Sequence, residues 1–299
     1  MRRSTTIGAL FLALLALLAL NLPAIAAPGG DDDRWALIVG VDRFQGRTRP
    51  NVGSVGDARD FRELLARHGW RDDRIRVLTD EAATAEGIRA GVRWLVDSST
   101  PNSRSVFHYS GHVKQIEGDQ DRDGEALDEY LWPHDNRFIS DGELAQSLRE
   151  LKGLAWIDIS GCEAGGFNEG LATPRRLFTA SSAEPEKSYE HPDWANSVWS
   201  GLLVDQGMLK GAADSNRDGD VTLREAVEWA APRATSITKD EPKGPQHPFA
   251  AGGEETNWFA RPAPPSSETP PTPPEERCLV NLPGGLCPRS KLAPAQRSR

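Results

Sequence analysis

The chain has 299 residues and a formal charge of −9, with 35 Lys and Arg against 44 Asp and Glu, and the acidic excess lies between two net basic ends. This charge argues against a nucleic-acid-binding protein, because a phosphate backbone requires a surplus of Lys and Arg. It suits cationic partners instead, either metal ions or basic peptide segments.

The first residues of the chain have the pattern of a secretory signal peptide. Met1–Arg3 is basic, residues 9–20 are apolar, and Ala24–Ala26 forms a small-residue cleavage site. We expect residues 1–26 to be removed on export, which leaves a short leader, 27–33, and a secreted or periplasmic protein. No later apolar stretch approaches 18 residues, so we expect no membrane anchor after cleavage.

The centre of the chain alternates between strand and helix patterns. Continuous apolar runs predict strands, and apolar residues three and four apart predict helices. The predicted strands are 35–41, 75–78, 106–109, 154–159 and 177–180. The predicted helices are 54–68, 88–96, 144–151, 198–209 and 223–230. This alternation predicts an α/β fold with a mainly parallel sheet sandwiched between helices.

Two reactive side chains follow neighbouring strands of this predicted sheet. His112 comes just after the third strand and Cys162 just after the fourth. Because sites in parallel sheets form at the carboxyl ends of strands, we expect the two to meet. A histidine within reach can take the thiol proton and make Cys162 a nucleophile. From spacing alone, an inert buried cysteine and an unrelated histidine remain an open alternative.

Residues 214–225 fit the twelve-residue calcium loop of an EF-hand. Gly219 occupies the sharp turn, and oxygen-bearing side chains stand at the ligand positions. The candidate metal ligands are Asp214, Asn216, Asp218, Asp220 and Glu225. We expect Ca²⁺ to brace the last helices of the fold, and an acidic turn that has lost its ion is the alternative.

The end of the chain differs in composition from the rest. Residues 261–274 are rich in Pro, Ser and Thr and cannot pack, so 261–299 is interpreted as a linker and tail. Cys278 and Cys287 lie in this tail, and an oxidising compartment favours a disulfide between them. That pairing leaves Cys162 as the single free thiol.

Several motifs occur together in a fixed order, namely 35–41, 57–59, 77–80, 109–112 and Cys162. In this order they resemble the caspase/metacaspase superfamily of cysteine peptidases, and 178–183 and 213–226 resemble the later part of bacterial caspase-like proteins. The resemblance covers 34–253 and implies a caspase–haemoglobinase fold for a domain of residues 34–260. It also implies an exported cysteine endopeptidase that cleaves polypeptides through a Cys–His dyad and an acyl-enzyme.

The resemblance assigns roles to single residues of this chain. Cys162 matches the nucleophile and His112 the general acid/base, and the backbone N–H groups of Cys162 and Val113 match the oxyanion hole. Metacaspases prefer Arg or Lys on the N-terminal side of the cut bond. Asp57, Ser110 and Ser54 match positions that line their substrate pocket.

Three positions depart from the family pattern. Val113 stands where the family has Gly, Ser160 where metacaspases have a pocket Asp, and Glu163 where a His usually follows the cysteine. The departures at Val113 and Ser160 leave open the alternative of a catalytically inactive, calcium-braced binding domain. Legumain-like cleavage after Asn is a third alternative, because legumains share the fold.

Overall fold

The structure is a computed structural model that describes residues 33–118, 126–168, 170–253 and 258–259. These residues belong to the first of the two units into which the chain divides, Met1–Arg261, and the second is Pro262–Arg299. The predicted signal peptide, the linker and tail, and the predicted Cys278–Cys287 pair lie outside the described residues. They stay predictions.

Eleven strands and five helices are described, apart from short 3₁₀ turns. The strands are β1 (Arg34–Gly40), β2 (Ile75–Thr79), β3 (Arg104–Ser110), β4 (Val113–Glu117), β5 (Leu127–Leu131), β6 (Ile139–Ser140), β7 (Leu154–Ser160), β8 (Arg176–Ala180), β9 (Glu190–His191), β10 (Asn196–Ser197) and β11 (Phe249–Gly252). The helices are α1 (Ser54–Arg67), α2 (Ala85–Ser98), α3 (Asp141–Leu148), α4 (Val198–Ser200), which continues as a π-helix over Gly201–Leu209, and α5 (Leu223–Ile237).

The central sheet has six strands in the order β11–β8–β7–β3–β1–β2. Its strands run parallel except β11, which pairs antiparallel with β8 at one edge. Side chains alternate between the two faces of each strand. On β1, Ala36 and Ile38 pack in one core with Phe61 of α1, while Leu37 and Val39 pack in the other with α2. The predicted α/β sandwich is therefore confirmed.

β3 and β7 are neighbours that end at the same level of the sheet. The register pairs Ser110 with Ser160, the last residues of the two strands. The segments that carry His112 and Cys162 therefore leave the sheet side by side, as the predicted topology requires.

The structure contains elements that the pattern analysis did not predict. β4, β5 and β6 form a small antiparallel sheet, and β9 pairs with β10 in a short hairpin. Two-residue strands such as β9 are too short for a periodic signal. Helix α5 was expected to end at Ala230, but it continues past Pro232 because Ala234 is also buried in the core. Among the described residues, no helix combines the length and apolar character needed to cross a membrane.

Candidate active site

A pocket of about 350 Å³ opens where β3 and β7 end. His112 and Cys162 both line it, so the structure brings the two predicted reactive residues together. The other lining residues are Arg49, Pro50, Asn51, Ser54, Ser110, Gly111, Ser160, Gly161, Ser188, Tyr189, Glu190, Ser197 and Glu241.

The turns that carry the two reactive residues are in direct contact. The Gly111 N–H donates to the Ser160 carbonyl over 3.1 Å. A Cβ atom on Gly161 would lie 2.8 Å from the Gly111 carbonyl oxygen, closer than real Cβ atoms approach. Ser181 fixes the turn that carries Cys162, since its hydroxyl accepts from the Gly161 N–H and donates to the Gly161 carbonyl. Glycine at position 161 is therefore required for this close approach.

The His112 ring is fixed by its surroundings. Its Nε2 atom lies 2.7 Å from the carbonyl oxygen of Arg49, and its face stacks on Phe44 with ring centroids 4.8 Å apart. A carbonyl oxygen only accepts hydrogen bonds, so Nε2 carries the hydrogen. In the neutral ring Nδ1 is then the nitrogen with a free lone pair, which can accept a proton.

Cys162 is a half-buried thiol. Its Sγ atom lies 3.7 Å from the Ser188 carbonyl oxygen. Burial raises the pKa of the Cys162 thiol, and the negative charge of Glu163 raises it further. The resting side chain is therefore the protonated thiol, which needs a neighbouring base before it becomes a nucleophile.

The backbone at Val113 is compatible with its predicted oxyanion role. The Trp132 N–H donates to the His112 carbonyl, and Val113 is paired with Leu131 of β5. Paired residues alternate between hydrogen-bonded and non-hydrogen-bonded positions along an antiparallel ladder, which makes Val113–Leu131 a non-hydrogen-bonded pair. The Val113 N–H therefore points away from β5, and valine replaces glycine here without loss of that donor.

Asp57 lies beneath the pocket and is fully buried. Its Oδ2 atom accepts from the Ser110 hydroxyl over 2.7 Å, and its Oδ1 atom accepts from Asn196 Nδ2 and the Ser197 N–H, both over 3.0 Å. Burial raises the pKa of Asp57 to about 6, against the opposing effect of nearby His108 and these donors. Ser110, which bonds to Asp57, and Ser54 both line the pocket above it.

Two of the positions that depart from the family pattern have clear local partners. The Ser160 hydroxyl lies 3.0 Å from the Ser197 hydroxyl on the pocket floor. Glu163 has a positive φ of 50° and forms an ion pair with Lys187. Ser160 lines the pocket and Glu163 is paired with Lys187, so neither residue puts a free carboxylate beside Asp57.

Two glutamates that pattern analysis missed line the pocket. Glu190 lies on β9, and Glu241 follows α5. The Glu190 Oε1 atom accepts from the N–H groups of Val52 and Gly53 over 2.7 and 2.6 Å. No short-range pattern relates a glutamate to residues 137 and 138 positions earlier in the chain, so only the fold reveals this contact.

A buried polar network lies deeper in the same face of the sheet. His108 and Asp158 pair across β3 and β7, with 2.8 Å between Nδ1 and Oδ2, and both side chains are fully buried. The Asp158 Oδ1 atom also accepts from Thr179 Oγ1 and Trp199 Nε1 over 2.6 and 3.0 Å. His108 stacks on Phe61 of α1 with ring centroids 3.7 Å apart. The network ties three strands to two helical segments under the pocket.

The predicted calcium loop has the turns of an EF-hand, although its carboxylate groups do not converge on one point. Side-chain oxygens of Asp214, Asn216 and Asp218 accept from backbone N–H groups two to five residues ahead. Glu225 is bonded to Ser215 and Thr222. These contacts lower the pKa of Glu225 to about 2.

The donor chemistry of this loop fits a hard cation. Gly219 has a φ of 90° at the turn, and the Asp214 Oδ1 atom is buried without a hydrogen-bond partner among the described residues. Over the same part of the chain, no three His, Cys, Asp or Glu side chains lie close enough together to hold a metal ion. An ion would therefore have to draw the carboxylates together.

Comparison with known proteins bears on this site. The caspase domain family model matches residues 33–245. Metacaspase-1 of Mycosarcoma maydis is 32% identical over 120 residues, which are 37% of this chain and 30% of that protein. Metacaspase-9 of Arabidopsis thaliana is 32% identical over 144 residues, which are 45% of this chain and 44% of that protein. The matched part thus spans less than half the length of these relatives.

A crystal structure of a protein from Geobacter sulfurreducens has a similar fold. The TM-score is 0.57 at 15% identity, and the superposition covers 78% of this chain and 98% of the other. At this level of identity the similarity concerns the arrangement of strands and helices alone.

Proposed function

The chain belongs to the caspase-domain family, and on this premise we propose that it is a cysteine endopeptidase in which Cys162 and His112 act as the catalytic dyad. The observation that carries the proposal is the shared pocket, in which a backbone carbonyl holds Nε2 of His112. That contact leaves Nδ1 as the proton acceptor for a thiol that is otherwise protonated.

The proposed reaction has two chemical stages. His112 takes the thiol proton at Nδ1 while Sγ of Cys162 attacks the carbonyl carbon of the peptide bond, and the carbonyl oxygen becomes an oxyanion. The N–H groups of Cys162 and Val113 stabilise that charge. His112 then protonates the leaving amine, which leaves a thioester. Water, deprotonated by His112, hydrolyses the thioester and restores the thiol.

We propose that the pocket prefers Arg or Lys on the N-terminal side of the cut bond. Two carboxylates line the pocket, those of Glu190 and Glu241, and a third, Asp57, lies directly beneath Ser110. A basic substrate side chain would neutralise the negative charge of these carboxylates, whereas a neutral substrate side chain would leave that charge without an ion-pair partner. These glutamates compensate for the carboxylate that is absent at Ser160.

The test is cleavage of a mixed peptide library by the purified full chain, followed by sequencing of the cut ends. We expect cuts after Arg and Lys that disappear when the protein is first treated with a thiol alkylator. Cuts after Asn would favour legumain-like specificity. Absence of alkylator-sensitive cuts would contradict the peptidase proposal and favour a binding domain.

Cleavage after basic residues should depend on pH through Asp57. Since the pKa of Asp57 is raised to about 6, this carboxyl is neutral below pH 6 and charged above it. We expect the ratio of kcat/KM for an Arg substrate to that for a matched norleucine substrate to rise from pH 5 to pH 7. Asp57→Asn should flatten this rise, and a variant that keeps the wild-type profile would contradict the assignment.

We also propose that residues 214–225 bind Ca²⁺ through Asp214, Asn216, Asp218, Asp220 and Glu225. The turns of the loop, the positive φ of Gly219 and the unpartnered Asp214 oxygen support this. Extracellular modules of this type bind calcium with a Kd of about 10⁻⁴–10⁻³ M. In the full chain the ion would fix the segment that precedes α5.

Calcium should therefore raise the thermal stability of the wild type. At a concentration one hundred times its Kd, the ion adds about 2.7 kcal/mol to the free energy of unfolding. Asp214→Asn should weaken binding in calorimetry and remove the stabilisation, while Glu228→Gln, on α5 outside the loop, should leave both unchanged. Equal calcium responses in wild type and Asp214→Asn would overturn the proposal.

A further inference from the structure

Glu190 is bonded to the loop that leads into α1. One carboxylate oxygen accepts from the N–H groups of both Val52 and Gly53, over 2.7 and 2.6 Å. Gly53 is the N-cap residue of α1, so the carboxylate lies at the positive end of that helix. Hydrogen bonds to an ionised acceptor are about twice as strong as neutral ones. Glu190 therefore fixes the end of the 49–53 loop.

The same loop holds the His112 ring. Arg49, at its other end, offers the carbonyl that accepts from Nε2 over 2.7 Å. Between the two ends, the Asn51 N–H donates to the Asp42 carbonyl and Asn51 Nδ2 donates to the Val41 carbonyl. The loop is thus a short bridge with Glu190 bound at one end and His112 at the other.

Glu190 also belongs to the hairpin that builds the pocket floor. It is paired with Ser197 of β10, whose N–H donates to Asp57. A Cβ atom on Gly53 would lie 2.5 Å from the Asn196 carbonyl carbon, so the loop and the hairpin are in tight contact. The Glu190 carboxylate joins the pocket floor to the loop that holds the histidine.

From this arrangement we propose that Glu190 is a positioning residue for peptide hydrolysis, fixing the 49–53 loop so that the Arg49 carbonyl holds His112 as the Nε2–H tautomer. The inference rests on the proposed function, because it assumes that His112 is the base. It differs from a role in binding basic substrates, since it requires an oxygen at position 190 that accepts from both N–H groups, and the negative charge only strengthens these bonds.

Two variants separate these roles. Glu190→Gln removes the charge but keeps an oxygen that accepts from both N–H groups, whereas Glu190→Ala removes both. We expect Glu190→Ala to lower kcat about 100-fold for Arg and norleucine substrates alike, because a misplacement of about 1 Å has an effect of that size. Glu190→Gln should keep kcat within a few-fold of the wild type, with any change confined to KM for basic substrates.

The tautomer is measured directly by ¹⁵N NMR of the histidine rings of the full chain, with His112→Asn used for assignment. We expect the Nε2–H pattern for His112 in the wild type and in Glu190→Gln, and a mixed pattern in Glu190→Ala. Glu86→Gln is the control, because it removes an exposed carboxylate that pairs with Arg93 on α2, outside the loop and the pocket. It should leave kcat, KM and the ring signals unchanged.

The outcomes separate the two proposals. Glu190→Ala with wild-type kcat and ring signals would overturn the positioning role, and so would a Glu190→Gln protein with kcat as low as that of Glu190→Ala. If the wild type shows no Cys162-dependent cleavage, the proposed function fails, while the ring signals still decide whether Glu190 fixes the tautomer. If Glu190→Ala does not fold, Glu190→Asp, which withdraws the carboxylate by one methylene, replaces it in both measurements.

Discussion

Replacing Cys162 by alanine should abolish peptide hydrolysis, with a loss in kcat of at least about 10⁴-fold. The proposed acyl-enzyme forms on the sulfur atom of Cys162. Without that nucleophile no oxyanion forms, so the backbone N–H groups of the oxyanion hole have no charge to stabilise. His112→Ala should lower kcat by about 10²–10⁴-fold, because burial keeps Cys162 protonated and the variant lacks the imidazole that takes the thiol proton. Both losses are measured with the best peptide from the library.

Two controls accompany this prediction. His247→Gln removes an exposed histidine that pairs with Glu186 outside the pocket, and it should keep wild-type activity. Thermal unfolding of Cys162→Ala should match the wild type, which separates loss of chemistry from loss of fold. Cleavage by Cys162→Ala at the wild-type sites and at a comparable rate would refute the dyad.

Replacing Asp158 by alanine should lower the free energy of unfolding by about 3–5 kcal/mol. The substitution removes the acceptor of three buried donors, namely Nδ1 of His108, the hydroxyl of Thr179, which keeps only the bond that it accepts from Trp156, and Nε1 of Trp199. It also opens a void between the sheet and the helices packed on it, and the side chains around that void lose packing contacts. Urea unfolding monitored by tryptophan fluorescence measures the change.

The matched control is Asp72→Ala. Asp72 also pairs with a basic residue, Arg62, but both side chains are exposed, so the loss should stay below about 1 kcal/mol. Asp158→Asn retains one acceptor oxygen and should fall between the two. An Asp158→Ala protein within about 1 kcal/mol of the wild type would mean that water or a local rearrangement satisfies the exposed groups.

The strands and helices with clear periodicity were predictable, and so was the meeting of His112 with Cys162. The strands and helices follow from apolar periodicity, and the meeting follows from the rule that residues after parallel strands lie at one edge of the sheet. The His108–Asp158 pair was accessible by the same logic, since each residue lies two positions before the end of its strand. Aligning the two predicted strands at their carboxyl ends therefore places His108 beside Asp158.

The rest of the site depends on contacts that no local pattern encodes. Glu190 lies in a segment without helical or strand periodicity, and its partners are 137 and 138 residues away. The group of Arg49 that contacts His112 is its backbone carbonyl. Every residue has such a group, so the residue type at position 49 does not predict the contact. The calcium loop is the opposite case, because its twelve positions are contiguous and their spacing alone predicts the ligands.

The buried network under the pocket sets limits for redesign of substrate preference. Ser110 and Ser197 both bond to Asp57, and the paired Asp158 and His108 lie beneath them, so changes there would alter folding together with selectivity. Glu241 lines the same pocket but is exposed and lies on the segment after α5. Libraries of variants with new cleavage preferences should therefore randomise position 241 and its neighbours, and leave the floor untouched.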